Sequence, residues 1–375
     1  LQKWGIAAAV APILLVVAFY VHSWLPYYEA DPPPATGEVR DVPPSLFDRA
    51  ISTYYERQTD EPIVAIIRQD IIAQFGAISP DGQYLAIGGS VIRDLRIASI
   101  EEKRNVRKFA IRSGNVDAVV YSPDGRYLAT GRGFMSHRRH NESVNLWDAR
   151  TGRLIRNFPG PKGPETHLND VTTLAFSPDS KILAVSYHPQ PDREDAVHIF
   201  DVESGKRIST MHPSSYTNAL FFLNGGRYLA FENGYERHFV VHNVETGKQV
   251  RLFNLNAVYA LSPDGKFLAA GTREKELKII DFNTGRELKV LETARGFHRR
   301  LVYSPDGRYL AAFSDDGLFI WDVEAGEIVR QLKGQPDIMG HWMGFDAAGN
   351  YFAAVCNKYV VVWDFKKLVS AKRSN

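Results

Sequence analysis

One short phrase returns seven times between residues 79 and 353, and this repetition confines the chain to a repeat architecture. Its first copy is Ser79-Pro80-Asp81-Gly82 followed by Tyr84-Leu85-Ala86. Ser122-Pro123-Asp124-Gly125 with Tyr127-Leu128-Ala129 follows, then Ser177-Pro178-Asp179-Ser180 with Ile182-Leu183-Ala184. The fourth copy has drifted to Leu223-Asn224-Gly225-Gly226 with Tyr228-Leu229-Ala230. Two clean copies come next, Ser262-Pro263-Asp264-Gly265 with Phe267-Leu268-Ala269 and Ser304-Pro305-Asp306-Gly307 with Tyr309-Leu310-Ala311. Asp346-Ala347-Ala348-Gly349 with Tyr351-Phe352-Ala353 closes the series. Successive copies start 43, 55, 46, 39, 42 and 42 residues apart, which brackets the length of a four-stranded propeller blade.

The phrase has a local physical cause. Ser at the first position, Pro at the second and Gly at the fourth are the preferences of a type I β-turn. Apolar runs such as Asp117–Tyr121 and Val171–Phe176 lead into the turn, and the Tyr-Leu-Ala run leads out of it. A third strand follows in most units, at Val144–Asp148, Val197–Asp201, Phe239–Asn243, Leu277–Asp281, Leu318–Asp322 and Val360–Asp364. Thr151-Gly152, Ser204-Gly205, Thr246-Gly247, Thr284-Gly285 and Ala325-Gly326 then turn the chain into a fourth strand, as hairpins needing one residue at positive φ do.

Trp-Asp closes the third strand at Trp147-Asp148, Trp321-Asp322 and Trp363-Asp364. On these residues the chain resembles the WD40-repeat family over residues 63 to 366, and its copies look like the regular propellers of membrane-anchored bacterial proteins. The resemblance implies an all-β, seven-bladed propeller. The family's Gly-His dipeptide is missing from its usual place before the first strand of each unit. The seventh unit ends at Phe365 without an outer strand, so Ile63–Arg68, which precedes the first copy, is expected to supply it and cover the open edge.

Ahead of the repeats, Trp4 to Leu25 carries no formal charge, which fits a bilayer-spanning helix, and Pro12 is tolerated in such a setting. Trp4 at one end and Trp24, Tyr27 and Tyr28 at the other occupy the places of an aromatic belt. Lys3 precedes the span while Glu29 and Asp31 follow it, which points to a cytoplasmic N-terminus and a periplasmic propeller on a bacterial inner membrane. The expected organisation is an anchor over 1–28, a linker over 29–61 and the propeller over 62–375. The linker carries Pro32-Pro33-Pro34 and Pro43-Pro44, then a short helix capped by Ser45 with Leu46, Phe47, Ala50, Ile51, Tyr54 and Tyr55 on one face.

Charge and cysteine content narrow the function. Lys and Arg number 45 against 43 Asp and Glu, a balance that argues against a phosphate-backbone partner and so against nucleic acid. The single cysteine, Cys356, excludes an internal disulfide and any multi-cysteine zinc site. Neither a Gly-x-Ser-x-Gly elbow nor a phosphate loop appears, and no catalytic residue or cofactor is assigned.

Elaboration marks the place for a partner. Three connections are long: Gly131–Glu142, Pro159–Asp170 and Tyr187–Asp195. In a propeller they emerge together, opposite the Ser-Pro-Asp-Gly turns. The candidate partner-binding residues are Phe134, Met135, His137, Arg138, Arg139 and His140, with Asp192, Arg193, Glu194 and Asp195. The plainer reading is that Arg138 and Arg139 pair with Asp192, Glu194 and Asp195 in a solvated cluster. Arg295, His298, Arg299 and Arg300 form a second basic spot entering the sixth unit. His137, His140, His167 and His188 could surround a metal in principle, but no rigid element fixes their spacing. The expected function is a non-catalytic, membrane-tethered protein-interaction scaffold, an accessory subunit of an integral membrane complex. The alternative is an enzyme, or a propeller that binds a small ligand or metal through the same loops.

Overall fold

The computed structural model describes residues 62–69, 73–89, 94–111, 115–132, 142–161, 170–188, 197–213, 217–234, 237–291, 300–314, 317–332, 342–356 and 359–370. They form 28 strands, beginning with β1 (Ile63–Arg68). The first blade contains β2 (Ala73–Ile78), β3 (Tyr84–Gly89), β4 (Asp94–Ser99) and β5 (Arg104–Ala110). The second contains β6 (Val116–Tyr121), β7 (Tyr127–Arg132), β8 (Glu142–Asp148) and β9 (Leu154–Pro159). The third contains β10 (Val171–Phe176), β11 (Ile182–Tyr187), β12 (Val197–Asp201) and β13 (Arg207–Met211). The fourth contains β14 (Thr217–Leu223), β15 (Tyr228–Asn233), β16 (His238–Asn243) and β17 (Gln249–Asn254). The fifth contains β18 (Ala257–Leu261), β19 (Phe267–Thr272), β20 (Leu277–Asp281) and β21 (Glu287–Leu291). The sixth contains β22 (Arg300–Tyr303), β23 (Tyr309–Ser314), β24 (Gly317–Asp322) and β25 (Glu327–Leu332). The seventh holds β26 (Met343–Phe345), β27 (Tyr351–Cys356) and β28 (Tyr359–Asp364), and a short helix α1 (Phe365–Ser370) follows.

Each blade is a four-stranded antiparallel meander, and β1 lies on the outer edge of the seventh, in the order β1-β28-β27-β26. Ile67 of β1 stands opposite Val360, and both are fully buried. The fold is therefore an all-β, seven-bladed propeller. Among the described residues no helix is long and apolar enough to cross a membrane. The apolar segment 4–25 with Trp4, Trp24, Tyr27 and Tyr28, and the short helix proposed after Ser45, lie outside the described residues.

The hydrophobic core is divided among the seams between blades, because both faces of each sheet are apolar and the second strands are buried almost throughout. In one such seam Ala118, Leu146 and Phe158 of the second blade pack on Leu174, Phe176 and Phe200 of the third. The seam that closes the ring joins Ala65 and Ile67 of β1 and Val360 of β28 to Ala73, Leu85 and Ile87 of the first blade.

The recurring phrase folds as its residues dictate, with a hydrogen-bond network added to the turn. Gly82 N donates to Ser79 O at 2.9 Å, and Gly82 takes φ +71°, which a side chain would resist. Ser79 Oγ accepts from Tyr84 N at 2.9 Å and donates to Asp81 Oδ1 at 2.5 Å, while Gln83 N donates to that same carboxylate oxygen. The second, third, fifth and sixth copies repeat this set, with Ser180 in place of the glycine in the third. The residue that ends each third strand, usually an aspartate, locks the opposite hairpin: Asp148 Oδ1 accepts from both Thr151 N and Thr151 Oγ1 at 2.7 Å. Asp201 and Asp281 do the same, Asn243 substitutes in the fourth blade, and Ser99 accepts from Glu102 N in the first.

A second periodic device joins the blades from outside. Arg107, Arg156, Ser209, Arg251, Lys289 and Arg330 occupy one register position on the outer strands, opposite Ile97, Leu146, Ile199, Val241, Ile279 and Ile320. Each reaches to a backbone carbonyl that follows the third strand of the next blade. Arg107 donates to Arg150 O, Arg156 to Glu203 O, Ser209 to Val244 O, Arg251 to Phe282 O and Asn283 O, Lys289 to Glu324 O, and Arg330 to Leu368 O. At the closing seam a different contact appears: Asn105 Nδ2 donates to Arg68 O, and Gln69 Nε2 donates to Asn105 Oδ1.

Candidate interaction surface at the loop face

Antiparallel alternation sends every connection between second and third strands, and every connection between blades, to one end of the propeller. The Ser-Pro-Asp-Gly turns and the Thr-Gly hairpins occupy the other end. The candidate residues Phe134, Met135, His137, Arg138, Arg139, His140, Asp192, Arg193, Glu194 and Asp195 lie outside the described residues, as do His167, Arg295, His298 and Arg299. Their structural basis is visible at the roots of the loops. Arg132 ends β7, Pro159 ends β9, Asp170 precedes β10, and Tyr187 and His188 end and follow β11.

These roots are drawn together at the seam between the second and third blades. Tyr187 Oη donates to Pro159 O at 3.4 Å, and His188 N donates to Asp170 O at 2.7 Å. Tyr187 is 2% exposed, and burial pushes its hydroxyl pKa well above the ordinary tyrosine value. Asp170 is 3% exposed and its two carboxylate oxygens accept no hydrogen bond. Burial raises its pKa to about 6, against the opposing charges of Arg132 and His188 and with the like charge of Asp117. This charged cluster was not singled out in the sequence. Its only signal is an acid directly ahead of an apolar strand and a base at the end of a buried one.

The innermost strands of all seven blades enclose a central cavity of about 560 Å³. Phe75, Asp117, Thr172, Phe221, Tyr259, Arg300 and Trp342 contribute one residue from each blade. Arg300, the one described residue of the second basic spot, reaches the channel; burial lowers its pKa and Glu232 opposes that shift. The described histidines with resolved shifts are core residues. His198 packs edge-on to Tyr187 and Phe200, and burial, with Arg207 and His212, lowers its pKa to about 4. His242 Nδ1 lies 2.9 Å from Gly247 O, and burial lowers its pKa despite that contact. Among the described residues no three His, Cys, Asp or Glu side chains are grouped to hold a metal ion.

The family model for the WD domain, G-beta repeat, matches residues 104–148, 154–192 and 290–322. The chain carries WD40 repeats. The first matched WD40 repeat begins on the outer strand of one blade and ends at Trp147-Asp148 of the next, so repeat and blade are out of phase by one strand. That offset leaves the last blade one strand short and gives β1 its place. Similar WD40 sequences include the nuclear distribution protein PAC1 of Coccidioides posadasii, 25% identical over 65% of this chain and 45% of its own length. The periodic tryptophan protein 2 homolog of Dictyostelium discoideum is 24% identical over 70% of this chain and 28% of its own length. The serine-threonine kinase receptor-associated protein of Gallus gallus is 24% identical over 56% of each chain. The chain therefore spans only about a quarter to just over half of these relatives. These relatives are eukaryotic, and do not represent the membrane-anchored bacterial type that the sequence suggested.

Proposed function

We propose that this chain is a non-catalytic scaffold that holds protein partners on its loop face, at the second and third blades. One observation carries the reading: three long connections, β7–β8, β9–β10 and β11–β12, root around a single seam of the ring. Rigid scaffolds with variable loops are suited to recognition. WD40 propellers bind protein partners, and the name of the receptor-associated relative records such an association for that protein.

The same reading places the propeller at a membrane. The uncharged stretch 4–25 is long enough to span, and Lys3 against Glu29 and Asp31 favours a cytoplasmic N-terminus and a periplasmic propeller on a bacterial inner membrane. A tether of this kind turns modest affinity for an integral membrane complex into occupancy, as an accessory subunit requires.

The test is extraction in mild detergent, capture of the chain, and mass spectrometry with metal analysis of what migrates with it on a native gel. Membrane subunits in stoichiometric amount, lost on replacing Arg138, Arg139 and Asp192, are the expected result. A lone chain carrying a stoichiometric metal or small molecule would overturn the reading in favour of an enzyme or ligand-binding propeller.

A further inference from the structure

Most aspartates that the structure describes have their carboxylates occupied. Asp148, Asp201 and Asp281 each accept two hydrogen bonds in their hairpins, and Asp346, 2% exposed, accepts one from Tyr351 N at 2.6 Å. Asp170 is equally buried and differs: neither carboxylate oxygen accepts a hydrogen bond, and among the described residues no ion pair reaches it. Such a group carries the full cost of desolvation and calls for a cause. Its backbone carbonyl is occupied by His188 N, so the side chain alone is left over.

The surroundings define what it suits. Asp117, on the neighbouring innermost strand, lines the central cavity and adds a second negative charge, while Arg132 supplies one positive charge. Two carboxylates, Asp117 and Asp170, thus stand near one guanidinium, that of Arg132. The site stands at the loop-side ends of β6 and β10, whose strands pack side by side at the mouth of the channel. A single cation entering from the loop face would balance it.

We propose that Asp170, with Asp117, receives one cationic side chain, guanidinium or ammonium, from a protein partner docked on the loop face. This rests on the scaffold reading and adds the chemistry of the partner. A buried water satisfying Asp170 predicts no preference for charge, so the two accounts separate in experiment.

The full chain in detergent is titrated with acetylated, amidated Gly-Gly-Arg-Gly-Gly, with its lysine analogue, and with the analogue carrying citrulline, the neutral isostere of arginine. The expected result at pH 7.5 is at least about ten-fold tighter binding of a cationic peptide than of the citrulline peptide, with the arginine and lysine arms showing which head group is preferred. The preference falls at pH 5, where Asp170 is protonated and no longer attracts a cation. It disappears in Asp170→Asn. Should that variant fail to fold, Asp117→Asn carries the same comparison, with the preference reduced at least about three-fold. Equal binding of the arginine, lysine and citrulline peptides by the wild type overturns the proposal, as does a preference that survives in the variant tested. Co-purifying membrane subunits without peptide discrimination would leave the scaffold reading standing and remove only this site.

Discussion

The indole Nε1 of Trp147 donates a 3.0 Å hydrogen bond to Thr130 Oγ1, joining the second and third strands of the second blade inside the protein. Both residues are buried, so the bond has no water to replace it. Thr130→Val should cost about 1–3 kcal/mol, because the indole donor stays buried with its acceptor gone. Trp147→Phe should cost less in the Thr130→Val background than in the wild type. Urea unfolding of the four proteins of the cycle measures this, and strict additivity would show that the bond contributes nothing.

Arg251 ties the fourth blade to the fifth through Phe282 O and Asn283 O, with its guanidinium 5.3 Å and 5.6 Å from the ring centroids of Phe253 and Phe282. Arg251→Ala should lower stability by about 1–2 kcal/mol. Arg251→Lys should recover part of the loss, since Lys289 fills the equivalent position one blade on. Thermal melts of both variants check the order.

Acid should act in two directions. The hairpin and turn aspartates Asp148, Asp179 and Asp201 have pKa values held below normal, chiefly by hydrogen bonds from Thr151, Ser177 and Ser204 respectively. Their contribution is present above the unfolded value near 4 and is lost as pH falls through the lower folded values. Asp170 has the opposite sign. Its folded pKa, about 6, lies above the unfolded one, so its ionisation weakens the fold above that pH and the penalty is relieved as pH drops from 7 to 5. The lowered folded pKa values of His198 and His242 cost stability over the same interval, so the Asp170 contribution is read as the difference in urea midpoint between Asp170→Asn and the wild type, which should favour the variant at pH 7 and narrow by pH 5. Below pH 4 both proteins should lose stability as the hairpin and turn aspartates are protonated.

Removing residues 61–70 takes away β1 and exposes the edge of β28, whose Val360 and Val362 are now fully buried. The shortened chain should aggregate, as an uncovered apolar edge does. A soluble variant that unfolds in one sharp transition would show that the ring closes without β1.

The propeller could be read from its turns because Ser-Pro-Asp-Gly encodes local geometry, and local geometry is written in neighbouring residues. The third strand of the first blade, Asp94–Ser99, was passed over because it ends in Ser99 where the other units have Asp or Asn. The short helix α1 is too brief to show a periodic pattern; Phe365 and Leu368 bury one side of it, and Asp364 Oδ1 accepts from Lys367 N at 3.1 Å. The cations that join the blades were illegible for a different reason. Arg107 or Arg156 on an outer strand looks like any solvent-facing base, and the carbonyls that receive it have no side-chain signature. The loops of the candidate surface could be located by length, but the unsatisfied carboxylate of Asp170 could not, since nothing in its neighbours' identities states which hydrogen bonds will go unmade.

The pairing of β1 with β28 also sets the order in which this protein can be completed during synthesis. Ile63 and Trp363 are register partners about 300 residues apart, so the first strand leaves the ribosome long before its neighbour exists. At about 5–20 residues per second, that interval is on the order of 15–60 seconds. Six blades can form in sequence while β1 waits as an apolar, unpaired strand, until β28 emerges to relieve it. Ile63–Arg68 is therefore a stretch open, for that interval, to chaperones or to β1 of a neighbouring nascent chain.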